Sequence, residues 1–533
     1  MDAADRRIVS GRSIRWDEEL ARKAYDGGWW VRETLADVLR REAAANPARV
    51  LLREGEAEIT AAGLLDRAER LAQTLLARME PGSAVTFMLP NWREAAEIYL
   101  GATLAGMVVN PVLPSLRDHD LGFILKDVGA RMIFVPANFR KCDYGEMLDR
   151  IGAGMDKPPE VVILRGPAGS HTAYEALFSE AGGIVLPELE PDAVRMIMYT
   201  SGTTGSPKGV MHTHNTLHAL IRQLGRHWHI DAGDKFLVPS PISHIGGSIY
   251  AFEMPLMLGT TCVLMEQWNA AQAMPIFTGE QITHMAGATP FLEQLLAGAR
   301  EAGTKLPDLK LFICGGASVP PSLIYEASSW FAKACVSRVY GSTEVPVTTT
   351  GVIDRADVRH AAETDGKPGI ADVRLGPADE ISMKGPQMLV GYSDPAADAK
   401  AFDADGYYLS GDQGKWVDGD YLVVSGRIKD IIIRHGENIA PKEIEDLLVE
   451  LPGVAEIAIV GLPDERTGER ACAVIVPAAG ATPPDLAGIK EFLDAKGVAR
   501  FKIPEQVEYW DALPKNDAGK VVKHKMRSTL MGE

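Results

Sequence analysis

The sequence predicts an α/β fold: a large N-terminal domain of layered, largely parallel sheets with helices, followed by a small, mobile α+β C-terminal domain. Three observations predict it. A chain of 533 residues is too long for one ordinary hydrophobic core and implies more than one packed unit. Over about the first four hundred residues, short runs of β-branched and large apolar residues alternate with helix-like patterns, as buried parallel strands require. Beyond Gly426 the texture changes to one amphipathic helix, longer strands and a second helix, a unit with its own core.

In chain order, the strand candidates of the large domain are AVTFML from residue 84, RMIFVPA from 131, VVILRG from 161, VRMIMYT from 194 and LKLFICGG from 309. Most end near Gly, Pro or Asn, which break a strand. The domains divide as 1–428 and 429–533. In the second, PKEIEDLLVEL begins with Pro441 at a first helical position and sets Ile444, Leu447, Leu448 and Leu451 on one face, with Gly453 just beyond. The strands AEIAIVG and RACAVIVPA follow, then a helix carrying Ile489, Phe492 and Leu493, then QVEYW.

With 46% hydrophobic and 24% charged residues, the composition is that of a soluble globular protein. Lys and Arg total 55 against 72 Asp and Glu, a formal charge of −17, which argues against general nucleic-acid binding. Any basic groups that hold an anion must therefore be local. The five cysteines are scattered without CxxC spacing and read as buried free thiols of a reducing compartment. The N-terminal stretch has no apolar signal-peptide core, and Ile98 to Val112 is too short to span a bilayer. The expectation is a cytoplasmic protein, monomer or homodimer, with no integral membrane association.

The stretch YTSGTTGSPKGV, residues 199–210, continues directly from the strand candidate VRMIMYT. Gly202, Gly205 and Gly209 allow tight turns, Ser201, Thr203, Thr204 and Ser206 bring hydroxyls, and Lys208 brings charge. Such a loop wraps an anion, and a plain linker seldom follows a buried strand without a break. It is not a Walker loop, because Pro207 and Gly209 flank the lysine where Gly and Ser or Thr would be needed.

Further on, VYGSTE at 339–344 offers Tyr340 to stack on a flat heterocycle, Thr343 to donate to a phosphate and Glu344 to hold magnesium; taken alone, the structural reading is the favoured one. In 407–430, Asp412 and Arg427 could grip two vicinal hydroxyls or simply form a surface pair. Near the C-terminus, PKNDAGKVVK presents Lys520 from a tight turn.

Taken in this order and at these separations, YTSGTTGSPKG, YGSTE, the SGD…GR segment, the GEN segment at 436–438 and PKNDAGK resemble the adenylate-forming superfamily. That superfamily includes acyl-CoA synthetases, adenylation domains of peptide synthetases and luciferases, and the resemblance runs from about residue 30 onward. It implies ATP, Mg2+ and coenzyme A, and a two-step reaction. A carboxylate and ATP give an acyl-adenylate and pyrophosphate; a thiol then displaces AMP to form a thioester.

Carried over residue by residue, the resemblance implies that Lys520 bridges carboxylate and α-phosphate, that Thr343 contacts the α-phosphate and that Glu344 holds magnesium. Thr200, Ser201, Gly202, Thr203, Thr204 and Lys208 would cover the outer phosphates. Tyr340, Gly341, Gly315, Gly316 and Ala317 would enclose adenine, while Asp412 and Arg427 hold the ribose. The small domain would rotate between steps about Lys429 and present His435, Gly436, Glu437 and Asn438 to the thiol. Many relatives carry two glycines before the acidic residue of this face, whereas here His435 precedes Gly436.

The acyl pocket would lie behind SPISHIGGSIYAFEMPL, residues 240–256, with His244, Ile245, Gly247 and Val345. Ile245 stands where catechol-acid enzymes carry Asn, and no Asp is evident for a substrate ammonium. A hydrophobic acid is expected: alicyclic, such as cyclohexanecarboxylate, aromatic or medium-chain. Two other readings remain: a stand-alone adenylation enzyme loading the phosphopantetheine of a carrier protein, and a catalytically silent nucleotide-binding protein.

Overall fold

The computed structural model describes residues 6–179, 182–200, 207–316, 319–435, 437–515 and 520–532. The N-terminal part is built on two seven-stranded sheets. The first runs Thr172–Ala173, Glu160–Leu164, Ala130–Pro136, Ala84–Phe87, Val108–Pro111, Val194–Thr200 and Lys208–Thr213. The second runs Cys335–Arg338, Leu311–Cys314, His284–Gly287, Lys235–Val238, Thr261–Leu264, Val50–Glu54 and Ala57–Thr60. In each, all neighbours are parallel except the last pair. All five strand candidates fall in these sheets, because continuous apolar runs suit strands covered on both faces.

The long apolar stretch from Ile98 belongs to the helix Glu94–Leu104, buried along its whole length, and the strand Val108–Pro111. An all-round apolar helix needs cover on every side, and here the main core supplies it. Among the described residues, no helix is long and apolar enough to cross a membrane.

One departure from the expected pattern is a four-stranded, wholly antiparallel sheet of Asp372–Leu375, Glu380–Lys384, Tyr408–Val417 and Tyr421–Arg427. Its last hairpin closes through Asp418 and Gly419, both with positive φ (48° and 97°), a conformation that Asp-Gly reaches at low cost. The cysteines also depart in part: all five are free, but Cys142 and Cys335 are only half-buried.

Beyond this sheet, Glu437–Ile439, Ile432–Arg434, Gly468–Pro477 and Val454–Asp464 form an antiparallel sheet, joined in parallel by Gln506–Tyr509. Its strands alternate between two small cores. Ile459 and Ile475 face the helices Pro441–Leu448 and Leu486–Ala495, meeting Ile444, Leu448, Ile489 and Leu493. Ala458, Val460 and Val474 face Met526 of the helix Lys523–Met531. Both cores use only residues from Ile432 onward. The helix Pro441–Leu448 also lies against the strand Tyr421–Arg427.

Candidate active site

Four segments that are distant in sequence are linked in a series of contacts that begins at the end of the strand Val194–Thr200. Thr200 pairs with Lys208 across the last, antiparallel strands of the first sheet, so the chain leaves and re-enters the sheet at one point. Ser201, Gly202, Thr203 and Thr204 lie outside the described residues, as do Ala317 and Gly436.

The turn after Tyr340 supplies the second segment. Gly341 is obligatory there, since a Cβ would lie 2.5 Å from the Val347 amide nitrogen. The compact turn points Glu344 at the first segment: its Oε1 accepts from Thr200 Oγ1 at 3.4 Å and from the Tyr392 hydroxyl at 3.1 Å. Lys208 sits over the Tyr392 ring, with Nζ 5.1 Å from the centroid. Burial, and after it the Glu344 carboxylate, raises the pKa of the Tyr392 phenol, so it stays protonated and donates.

The Thr343 carbonyl is held from behind by His212, whose Nε2 lies 2.7 Å away. Burial depresses the imidazole pKa to about 4, so the ring is neutral, and a carbonyl can only accept; Nε2 therefore carries the proton. His212 is placed by the strand Lys208–Thr213 and by the capping box of Thr213 and Thr216 that starts the next helix. Sequence reading missed His212 and Tyr392, since neither belongs to a glycine turn or carries a formal charge. Their only signal is proximity to one, His212 three residues after Gly209 and Tyr392 after Gly391.

The third segment is the hairpin Tyr408–Val417/Tyr421–Arg427, in which Asp412 and Arg427 are register partners. Asp412 Oδ1 pairs with Arg427 Nε at 2.9 Å, and Oδ2 accepts from the Tyr340 hydroxyl at 2.8 Å. Gly315 and Gly316 follow the strand Leu311–Cys314, and the Val339 amide donates to the Cys314 carbonyl at 3.0 Å, so this strand end adjoins Tyr340.

Lys520 is the fourth contribution. Beside it, Lys515 and Val521 form an antiparallel bridge and the Val522 amide donates to the Pro514 carbonyl at 2.8 Å. The half-buried ammonium interacts electrostatically with Arg427, Asp412, Asp430 and Lys429, and desolvation, followed by Arg427, lowers its pKa to about 8. Lys429 lies in the single turn Ile428–Asp430, its own pKa lowered by burial and by Arg427.

The remaining candidates stand apart. His244 caps the short helix Ile245–Ser248, its Nδ1 accepting from the Gly246 amide at 3.2 Å. Its side chain is open to solvent, yet neighbouring protein atoms desolvate the ring and lower its pKa. Gly247 is forced by packing, since a Cβ would lie 2.1 Å from the Pro241 carbonyl oxygen. Ile245 and Val345 are both buried but belong to different core clusters. The single π-helical turn that follows, Ile249–Glu253, is pinned by the buried pair Glu253–Arg195 (2.8 Å) and by the Tyr99 hydroxyl (2.5 Å).

His435, Glu437 and Asn438 are exposed on the first hairpin of the small sheet, with Arg434 opposite Glu437. His435 has φ +52°, the left-handed conformation that a glycine would adopt without strain.

What this arrangement can do is set by its charges. Lys208, Lys520 and Arg427 are cations that could hold an anion, while Asp412 could accept from hydroxyls and Glu344 could serve as a single hard-cation ligand. Among the described residues no group of three or more His, Cys, Asp or Glu side chains could hold a metal ion by itself. One carboxylate fits magnesium that brings phosphate oxygens and water as its other ligands.

Comparison with known proteins bears on this geometry. The AMP-binding enzyme family model matches residues 39–392, and the AMP-binding enzyme C-terminal domain model matches 443–520. The medium-chain fatty-acid–CoA ligase of Escherichia coli is 31% identical, over 96% of this chain and 93% of its own. A Rhodococcus jostii CoA ligase, named for a propanoyl group carrying a methyl-dioxo-octahydro-indenyl ring system, is 31% identical over 93% and 98% of the two chains. Among solved structures, ATP-bound MatB from Rhodopseudomonas palustris superposes with a TM-score of 0.82 at 27% identity, covering 93% of this chain and 98% of that one.

Proposed function

The chain belongs to the AMP-binding enzyme family as an AMP-forming acid–CoA ligase, and from that premise we propose that it activates a hydrophobic alicyclic, aromatic or medium-chain carboxylic acid. One observation carries the reading: an unbroken run of contacts from Lys208 through Tyr392 and Glu344 to Thr200, close to the Tyr340–Asp412–Arg427 group that Lys520 approaches.

In the first step a carboxylate oxygen attacks the α-phosphorus of ATP, and the bond to the bridging oxygen breaks to release pyrophosphate. Two anions must meet, so cations that offset their repulsion carry the catalysis. Lys520 spans carboxylate and α-phosphate, Thr343 donates to the α-phosphate, and Thr200, Ser201, Gly202, Thr203, Thr204 and Lys208 enclose the β and γ phosphates. Tyr340, Gly341, Gly315, Gly316 and Ala317 enclose adenine, and Asp412 with Arg427 holds the ribose. Magnesium, when bound through Glu344, neutralises phosphate charge.

In the second step the thiol sulfur of coenzyme A attacks the acyl carbon, and the bond to AMP breaks. Lys520 must withdraw first, because it occupies the approach. The domains divide between residues 428 and 429, and Lys429 in its one-turn segment is the pivot that brings His435, Gly436, Glu437 and Asn438 to the thiol. His244, Ile245, Gly247 and Val345 form the acyl pocket. The five free thiols fit a cytoplasmic setting.

The test is mass spectrometry of products from ATP, magnesium and a panel of aliphatic, alicyclic and aromatic acids, with and without coenzyme A. AMP and an acyl-CoA from a hydrophobic acid are expected. Acyl-adenylate without thioester would transfer the thiol role to a carrier protein, and the absence of both products would overturn adenylation.

A further inference from the structure

Tyr392 belongs to no motif of the reaction, yet it touches two of its groups. The segment 389–393 runs beside the strand Lys208–Thr213: Ser393 donates to the Gly209 carbonyl (2.7 Å), Met211 to that of Gly391 (3.1 Å) and Val390 to that of Met211 (3.0 Å). On its other side the Leu389 amide donates to the Glu344 carbonyl at 2.7 Å. This strap joins the phosphate strand to the Glu344 turn through main-chain bonds alone.

From it projects Tyr392, only 3% exposed, with its hydroxyl 3.1 Å from Glu344 Oε1 and its ring 5.1 Å from Lys208 Nζ. One rigid aromatic ring thus carries an ammonium on its face and a carboxylate at its edge. Without it, Lys208 and Glu344 could swing together into an ion pair, satisfying both charges and leaving neither for a nucleotide.

Resting on the adenylation reading, we propose that Tyr392 is a positioning residue that holds Lys208 and Glu344 apart and in fixed register, so that the phosphate cation and the magnesium carboxylate are set as a pair before ATP arrives. The Tyr408 hydroxyl lies 3.3 Å from that of Tyr392, a second partner for the hydroxyl besides Glu344. Two roles divide cleanly between ring and hydroxyl. The ring serves Lys208; the hydroxyl serves Glu344.

The experiment is calorimetric titration of ATP into the full-length protein, with and without MgCl2, for wild type, Tyr392→Phe, Tyr392→Leu and Tyr408→Phe, each checked for an unchanged melting temperature. Tyr392→Phe is expected to bind ATP without magnesium within about twofold of wild type but to lose about threefold or more of the affinity that magnesium adds. Tyr392→Leu is expected to lose in addition about fivefold in magnesium-free ATP affinity. Tyr408→Phe is expected to keep the magnesium gain. An unchanged gain in Tyr392→Phe, or an equal loss in Tyr408→Phe, would overturn the role of the Tyr392 hydroxyl while leaving adenylation intact. A wild-type chain that binds no ATP at all would overturn both.

Discussion

Asp412 and Arg427 face one another across a two-stranded hairpin, with Arg427 Nε 2.9 Å from one carboxylate oxygen of Asp412 and the Tyr340 hydroxyl 2.8 Å from the other. The carboxylate is therefore oriented before any ligand arrives. Replacement by asparagine keeps the shape but removes the charge that holds Arg427. Asp412→Asn is expected to raise the KM for ATP about tenfold with kcat within about threefold, since a ribose contact is made alike in ground and transition states. Steady-state kinetics at saturating acid would check it, and a fall in kcat alone would contradict it.

Lys520 is expected to matter for one half-reaction only. Lys520→Ala should slow ATP–pyrophosphate exchange about a hundredfold or more, the cost of losing a transition-state charge contact. Thioester formation from supplied acyl-adenylate should stay within about threefold of wild type, as the proposed withdrawal of the lysine before the thiol step requires.

The same residue sets a pH limit. With its pKa lowered to about 8, Lys520 loses its charge as pH rises through that value, and adenylation kcat/KM should fall with it. Lys520→Arg should move the alkaline limb upward. For stability the sign is opposite: the folded state binds fewer protons than the unfolded state between about 8 and the ordinary 10.5, so this group adds stability as pH rises across that window.

His212 connects a buried imidazole to the Thr343 carbonyl at 2.7 Å. His212→Leu fills similar space but leaves that carbonyl unpaired, at a cost of about 1–3 kcal/mol in chemical denaturation. Adenylation kcat should fall about tenfold through displacement of Thr343. A variant with lost stability and intact kcat would show that the contact is purely structural.

Next to the strand Tyr421–Arg427, His360 stacks on Tyr421 with centroids 3.8 Å apart and lies between Asp418 (2.9 Å) and Asp357 (2.7 Å). Asp418 first, then Asp357, raises its pKa against the opposing effects of burial and Arg359. A raised folded pKa contributes stability fully below the unfolded value near 6.5 and loses it as pH climbs through the folded pKa. His360→Asn should therefore lower the melting temperature more at pH 5.5 than at pH 8.5, and equal losses at both would refute the linkage.

The sequence by itself determined the strand candidates and the family and named the charged or glycine-bounded groups of the candidate site, because these signals are local. Apolar runs such as VRMIMYT read as buried strands, and the glycine turn that presents Glu344 is written in adjacent residues. The antiparallel sheet of 372–427 was only partly legible, since its register depends on a hairpin whose mixed polar faces lack a strong period.

Only the tertiary structure decided that Tyr392 joins Lys208 to Glu344, that His212 supports Thr343, and that Lys520 comes near Asp412 across more than a hundred residues. The physical reason is that these are contacts between side chains brought together by sheet packing. A tyrosine or a histidine in an otherwise apolar stretch looks the same in sequence whether it fills space or holds another residue in place; its partners distinguish the two, and partners exist only once the chain has folded.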